Sequence, residues 1–425
     1  MAADGEQRAT LIERHSYRSP ADRPPVERPI RLAVIGLGPR GRGNVVGKAL
    51  TYAEYELAAV CDHRANLVAG VAETVERDQG RRVPGFTDYE RMLREVEPDA
   101  VAVTTDVNVQ IPIACAAMES GCHAMVEVPL CTSMEDCWRV VTTAERTGKV
   151  FLLMEQVRFS GYIRAWRRIV DAGVIGKPLF VEGEYFSCKG GDAFFQDESG
   201  RYHFPEHAAA AGAAPTWRHT MPTIVYLPHE LSPLLYVIDD RVTRVVGMST
   251  RRQSYRHPAV RRADVQVALM HTAGDVVLRM AVGHTSAAMP RDSGGGESAH
   301  WHHVKGAAGV LEWNRTPDGT PKLWVEDWEI DQPLSVPWTT APRDAPPEAV
   351  ASGHGGRDYY VFAQFADAVL HGVPVELDAY AAADTAAPAI LAAVSIDSGN
   401  APQDVPDFRP GPARAAGALP AGMRL

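Results

Sequence analysis

The sequence predicts a two-part α/β protein: a doubly wound parallel sheet, then an α+β domain built on an open, mostly antiparallel sheet. Three observations carry this. A glycine-rich turn, Gly36-Leu37-Gly38-Pro39-Arg40-Gly41, follows directly on the apolar run 31–35. Short apolar runs then alternate with helical spacing as far as residue 155, the pattern of parallel strands joined by crossover helices. Beyond residue 156 strand-like runs dominate and helices are few, which marks a different layer architecture.

Residues 31–35 are rich in β-branched side chains and bounded by glycine, so they read as a buried parallel strand. Gly36 allows the tight turn, Gly38 lets backbone approach a pyrophosphate, and Gly41 lets the next helix sit close on the sheet. Pro39 and Arg40 complete the turn, and the free N–H groups of that helix start suit an anion. Asp62 ends a second strand, where a carboxylate binds a ribose 2′-hydroxyl. A glycine turn with no ligand is the alternative; the flanking strand, helix and Asp62 weigh against it. Together they predict a Rossmann dinucleotide-binding domain. Asp62 would repel a 2′-phosphate, which favours NAD over NADP, a preference moderated by Arg64.

The remaining elements follow in order. Helices are predicted over 44–55, 67–77, 89–95 and 111–119, with a short segment at 86–88. Strands are predicted over 99–104, 122–127 and 149–155. A helix over 134–147 has Ser133 as N-cap and Gly148 as its stop. After a helix at 162–172, strands are expected at 178–186, 244–250, 264–272, 275–285, 309–314 and 322–326, with a hairpin turn at Gly274. Helical spacing returns at 355–370 and 379–398. Residues 208–214 and 294–296 are low-complexity loop pieces. The predicted boundaries are a solvated arm over 1–30, an NAD-binding domain over 31–155, a substrate-binding and oligomerisation domain over 156–410, and a tail over 411–425.

A chain of 425 residues can bury two full cores. Its net charge of -10 argues against a nucleic-acid surface. No apolar run is expected to reach membrane-spanning length, and the charged N-terminal stretch has no apolar signal region. The six cysteines form no C-x-x-C pair; buried thiols in a reducing cytoplasm are the expectation.

The GLGPRG turn, the strand ending in Glu127-Val128-Pro129 and the two-domain order resemble the glucose–fructose oxidoreductase/inositol dehydrogenase (Gfo/Idh/MocA) family over about residues 31–408. The segments MVEVPLCTSMEDCWRVV, LLMEQ, VEGEYF, TWRH, YLPHELSPLLYVI, GHGGRDY and DVPDF resemble, more narrowly, the branch containing glycoside hydrolase family 109, the NAD-dependent N-acetylgalactosaminidases. Two positions depart from ordinary dehydrogenases of the family. Val128 stands where their E-K-P motif has lysine, and Val225 stands four residues before His229, where they have aspartate. The branch's tyrosine near its H-L-L-S-G-T-K-G stretch falls here near Ser298.

The resemblance implies the site. His229 would accept a proton from a sugar hydroxyl near neutral pH; the competing view is that it packs a helix start with Glu230. Glu155 ends the fifth strand, in the crevice where ligands sit, and would hold substrate or relay a proton. Tyr185 would handle a C2 proton or the leaving group, or else only pack the sheet. Trp217 and Arg218, with Tyr226, would line the sugar site; Glu127, beside Pro129, would position the nicotinamide ribose. His300-Trp301-His302-His303 lacks companion ligands at metal spacing, so no metal is expected, and His303 is taken as a substrate contact. His354 is a further sugar contact, unless its HGGRD stretch only places Asp358 in a helix's first turn.

The implied function is an NAD-dependent enzyme on a glycoside: transient hydride abstraction at C3, C2 deprotonation, then elimination or hydrolysis of the glycosidic bond with the cofactor recycled. The alternatives are a simple sugar or cyclitol dehydrogenase and a non-catalytic NAD-binding sensor. An open sheet needs covering, so a homo-oligomer, dimer or tetramer, is expected, with no nucleic-acid or membrane partner.

Overall fold

The computed structural model describes residues 26–187, 194–287, 300–343, 345–411 and 414. Most of the predicted N-terminal arm, the loop 294–296, Ser298, Cys188 and most of the C-terminal tail lie outside the described residues.

Runs with no polar face build the first sheet. β1 (Ile30–Ile35), β2 (Tyr55–Cys61), β3 (Gly85–Phe86), β4 (Ala100–Val103), β5 (His123–Glu127) and β6 (Phe151–Met154) lie in the order β3-β2-β1-β4-β5-β6, all parallel. Every residue of β4 and β6 is buried, because helices cover both faces of a parallel sheet. These are α1 (Val46–Thr51), α2 (Ala65–Gln79), α3 (Tyr89–Val96), α4 (Gln110–Glu119) and α5 (Met134–Thr147). Asp88 and Ser133 cap α3 and α5 by accepting from backbone N–H groups. Gly148 ends α5 in the left-handed conformation. Strand order reverses between β1 and β4, which places the glycine turn at the topological switch point.

The first crossover helix differs from expectation. Gly41–Val45 form a π-type turn, α1 ends at Thr51, and Tyr55 already belongs to β2. Tyr55 is drawn into the sheet by tertiary contacts: its ring meets Phe362 edge-on and its hydroxyl donates to the Phe362 carbonyl. The segment at Phe86 becomes a sixth, two-residue strand.

The second sheet is nine-stranded. β7 (Pro178–Phe186), β11 (Val242–Ser249), β12 (Gln266–Thr272), β13 (Val277–Gly283), β14 (His300–Gly306), β15 (Gly309–Glu312), β16 (Lys322–Val325), β17 (Leu334–Ser335) and β18 (Gln403–Asp404) lie in the order β17-β16-β15-β14-β7-β13-β12-β11-β18. Only the β7–β13 pair is parallel. A small sheet of β8 (Phe195–Gln196), β9 (Tyr202–His203) and β10 (Ala214–Pro215) stands apart.

Helices α6 (Gly161–Asp171), α7 (Pro228–Ile238), α8 (Arg357–His371) and α9 (Ala379–Asp397) complete the fold. In α7 every residue from Pro228 to Val237 is buried. Such a helix has no polar stripe, and only its first turn was anticipated from the sequence. Helix α9 overturns the expectation that no apolar run reaches membrane-spanning length: its 19 residues are long and apolar enough. It is mostly buried and packs against β11 and α5, which explains a helix apolar on nearly all sides. The five described cysteines are free and buried, with Cys131 and Cys137 sulfurs 3.4 Å apart.

The seam between β11 and α9 is tight at Gly247, where an added Cβ would lie 2.4 Å from the Ala392 carbonyl oxygen. Gly247→Ala is expected to cost about 1–3 kcal/mol through overpacking. Chemical denaturation checks this; an unchanged midpoint would contradict the packing described.

Candidate functional site

The carboxyl ends of the first sheet open into one cleft. Gly36, Gly38, Pro39, Arg40, Asp62, Glu127 and Pro129 all line it. The three glycines do different work. Gly36 has φ +96°, and a Cβ there would sit 2.7 Å from the Thr104 carbonyl carbon. At Gly41 a Cβ would sit 1.9 Å from the Gly36 oxygen, so only glycine lets this helix approach the turn. At Gly38 a Cβ would meet no atom within 4 Å; it would project into free space at the cleft wall. That cradle fits a dinucleotide's phosphates. The buried Asp62 carboxylate accepts from the N–H groups of Leu37 (2.7 Å) and Arg64 (2.9 Å), fixing the turn while still lining the cleft.

Arg40 crosses the cleft floor. It donates to Glu127 at 2.8 Å and to Asp358 at 3.3 Å. Asp358 also accepts from Asn44 and His354 and pairs with Lys48. Burial alone would raise the Asp358 carboxyl, but the His354 hydrogen bond and the Arg40 and Lys48 charges hold it far below the usual carboxylate range. His354 is thus hydrogen-bonded to Asp358 beside the glycine-turn helix. Val128 lines the cleft. Val225 packs with Val107 and Met221. Neither position offers a proton-handling group.

A second cluster forms where α7 meets the inner face of the nine-stranded sheet. His229, in the first turn of α7, faces Glu155 with Nδ1···Oε1 at 3.2 Å. Glu155 is fully buried and also accepts from the N–H groups of Val157 (2.7 Å) and Arg158 (3.1 Å). Of the two roles expected for it, holding substrate or relaying a proton, its contact with His229 fits the second, while both oxygens also accept from the backbone turn. Tyr185 lies edge-on to His229 at 5.4 Å and stacks on His300 at 4.5 Å. Tyr226 stacks on His229 at 6.4 Å and on Trp217 at 6.1 Å, and its hydroxyl accepts from Arg218 at 2.6 Å.

Strand alternation sorts the histidines of β14. His300 pairs in register with Tyr185 and His302 with Gly183, while His303 pairs with Glu182. His300 and His302 therefore share the inner face, where both contact Glu230, and the His302 Nδ1 meets the Tyr162 hydroxyl at 2.7 Å. His303 points to the outer face, 2.9 Å from Glu182. This corrects the expected substrate contact: the pleat sends His300, not His303, to Tyr185. Sequence reasoning also missed His284, which meets Tyr185 and Tyr226 at 4.7 Å each, and the buried Arg262. Nothing local marks either: both lie in loops, Arg262 before β12 and His284 after β13, and tertiary contacts bring them in. The alternation in His300-Trp301-His302-His303 was a usable signal for the first choice.

The segment after β7 closes the cleft from outside. Gln196, Tyr202, Trp217 and Arg218 line it. Arg42 donates to the Ser199 carbonyl, Asn66 to the Glu198 carbonyl and Arg64 to the Gln196 side chain. The small sheet is thereby tied to the glycine-turn helix and to the start of α2.

Two predictions follow from this geometry. Gly38→Val should abolish dinucleotide binding without lowering the melting temperature, since its side chain meets only cleft space; retained NADH fluorescence on binding would contradict this. Burial drives the His300 imidazole down to about 4 despite the opposing charge of Glu230. The unfolded chain, with an ordinary histidine pKa of about 6.5, then binds more protons between those values. The stability contributed by neutral His300 is complete above about pH 6.5 and lost as pH falls towards about 4. Denaturant midpoints over that range should decline less in His300→Gln than in the parent.

Residues 30–155 match the family described as "Oxidoreductase family, NAD-binding Rossmann fold", and residues 324–413 match "Glycosyl hydrolase 109, C-terminal domain". Similar proteins include glycosyl hydrolase family 109 protein 1 of Akkermansia muciniphila, 27% identical over 90% of this chain and 82% of its own. Another is the alpha-N-acetylgalactosaminidase of Bacteroides fragilis, 25% identical over 90% and 92%. Among solved structures, an oxidoreductase from Agrobacterium radiobacter in complex with NAD+ shares the fold with TM-score 0.68, 15% identity and coverage of 89% and 99%. The UDP-N-acetylglucosamine 3-dehydrogenase of Acidithiobacillus ferrooxidans does so with TM-score 0.61, 18% identity and coverage of 87% and 99%. The glycine cradle, the sheet order and both matched domains agree: the chain carries a Gfo/Idh/MocA NAD-binding domain and a glycosyl hydrolase 109 C-terminal domain, and is an NAD-dependent enzyme.

Proposed function

We propose that this enzyme cleaves a glycosidic bond with no net redox change, through transient oxidation of the sugar at C3. The observation that carries the reading is a combination. Both positions that handle protons in ordinary dehydrogenases of the family are valines, while His229, Glu155 and Tyr185 stand together beside the cleft. NAD, when bound, supplies the hydride acceptor for C3 and returns that hydride after cleavage. The Gly36–Gly41 turn and Asp62 would hold it, with Arg40 and Glu127 at the floor.

His229 takes the C3 hydroxyl proton. Its Nδ1 faces Glu155, so Nε2 is the nitrogen left for the sugar, and the Glu155 carboxylate stabilises the imidazolium that forms. The C3 ketone then acidifies the C2 hydrogen. Tyr185, among His229, His284 and His300, is the group to take that proton, acting as its phenolate and becoming the neutral phenol. The electron pair left at C2 forms the C1–C2 double bond and expels the aglycone oxygen, which needs a proton in turn. Water adds at C1, C2 regains a proton, and reduction at C3 restores the sugar. Burial and the charge of Arg262 keep His284 well below its ordinary pKa, so it stays neutral beside Tyr185 and does not compete as a cation.

A redox-neutral cycle needs a cofactor that stays in place. The ties from Arg42, Asn66 and Arg64 to segment 196–200 support that requirement. We further propose a cytoplasmic homo-oligomer, a dimer or tetramer, in which a second copy covers the outer face of the nine-stranded sheet. Exposed Leu269 and Val277 lie there beside Arg279, which pairs with Glu182 and Glu184.

The test is to incubate the NAD-loaded enzyme with nitrophenyl glycosides in D₂O. Aglycone release with deuterium at C2 and no build-up of NADH is expected. Stoichiometric NADH absorbing at about 340 nm without release would make it a plain sugar or cyclitol dehydrogenase. Retained NAD with neither would leave the sensor reading. His229→Ala should lower turnover about 10²–10⁴-fold, the usual worth of a positioned general base, with NAD retention unchanged. Full activity in that variant would overturn the assignment.

A further inference from the structure

Two arginines flank Tyr226 with no acidic partner among the described residues. Arg218 donates to the hydroxyls of Tyr226 and Tyr202, at 2.6 and 3.0 Å, and lies over the Trp217 ring. Arg262 is 2% exposed. Its Nε donates to the Thr223 hydroxyl and one terminal nitrogen to the Arg218 carbonyl. Its other terminal nitrogen, Nη2, is buried with no hydrogen-bond partner among the described residues. Neither guanidinium makes an ion pair with any described carboxylate. Asp106, on the cofactor side, feels the Arg218 charge without pairing with it.

A buried cation with only phenols, a hydroxyl and a carbonyl around it is unusual. The rings of Tyr226 and Phe194, at 5.4 and 5.6 Å from Arg262, give cation–π contacts, which offset only part of the cost of taking a guanidinium out of water. The effect of that burial is strong enough to push Arg262 down to about 10, with the nearby Arg218 charge adding to it. A purely structural arginine would be expected to gain a carboxylate here.

A second unpaired atom lies close by. The His284 Nε2 is also buried without a partner among the described residues, and His284 meets the same Tyr226 ring at 4.7 Å. Arg218, Arg262 and His284 thus surround Tyr226, which stacks on His229. We propose that the sugar accepted by this enzyme carries an anionic substituent, a carboxylate, sulfate or phosphate, received by Arg218 and Arg262 beside Tyr226. This rests on the sugar-processing reading above and narrows its substrate class. Neutral His284, in the tautomer with hydrogen on Nε2, adds a donor without adding charge.

Titration calorimetry on the NAD-loaded full chain tests this with glucuronate, glucose 6-sulfate and glucose 6-phosphate against glucose and N-acetylgalactosamine. At least one anionic sugar should bind about 10- to 100-fold more tightly than the neutral ones, the worth of a charged hydrogen bond. The arm that wins identifies the anion. Arg262→Gln should erase that preference while leaving the affinity for neutral sugars in place. Should it not fold, Arg218→Gln, at the less buried arginine, is read by the ratio of anionic to neutral affinity, which should fall about 10-fold. Equal affinities for neutral and anionic sugars in the parent, or a preference that survives the substitution, would overturn the proposal. Because binding is read without turnover, the two readings fail separately: cleavage of a neutral glycoside with no anionic preference removes only this one, and anionic preference without cleavage removes only the glycosidase mechanism.

Discussion

Asp358 joins the two halves of this enzyme. It stands in the first turn of α8, almost wholly buried, and gathers Arg40, Asn44 and Lys48 from the glycine-turn helix together with His354 from its own side. A carboxylate this deep would cost several kcal/mol if left unpaired. Its four partners offset that cost, and in doing so they fix where the C-terminal half meets the cofactor cleft. Arg40 is the outward limb of the arrangement: held by Asp358 on one side, it presents its Nε to Glu127 at the end of β5. The floor of the cleft is therefore set from both halves of the chain.

The histidine cluster proposed to handle protons depends on a second convergence. Glu155 follows β6 of the parallel sheet; His229 opens α7; Tyr185 and His300 are register partners on β7 and β14. Helix α7 packs across both strands, so its first turn carries His229 to Glu155 and Glu230 to His300 and His302 together. Burial keeps His284 and His300 neutral, while Glu155 contacts His229 and Glu230 contacts His300 and His302.

The outer wall of the cleft and the arginine pair are continuous. Trp217 and Arg218 line the cofactor cleft and also reach Tyr226 on the sugar side. The excursion that carries them, with its small three-stranded sheet, is anchored to the dinucleotide-binding domain by Arg42, Asn66 and Arg64. One segment thus serves two tasks: it narrows the exit from the cofactor cleft and supplies a cation to the proposed substrate pocket. The proposed chemistry, which borrows and returns a hydride, would benefit from coupling these tasks, since both ligands must remain until the hydride is back.

Much of this was legible in the chain itself, because it rests on local backbone demands and on periodicity. The glycine turn, Asp62 and the alternation of strand and helix determined the parallel sheet, the place of the cofactor and its class. Val128 and Val225 were readable as losses through the resemblance to the family's dehydrogenases. Other features were decided by tertiary structure. Helix α7 has no polar stripe, since it is buried on every side, so periodicity could not extend it beyond the first turn. The choice of His300 over His303 followed from the pleat once β14 paired with β7, and a one-residue difference reverses the face. That Glu155 meets His229 was decided by the turn after β6, where the N–H groups of Val157 and Arg158 hold its carboxylate. Arg262 and His284 carry no local signal at all. Their significance lies in missing partners, and whether a buried charge has a partner is a property of the packed neighbourhood, which only the assembled strands and helices create.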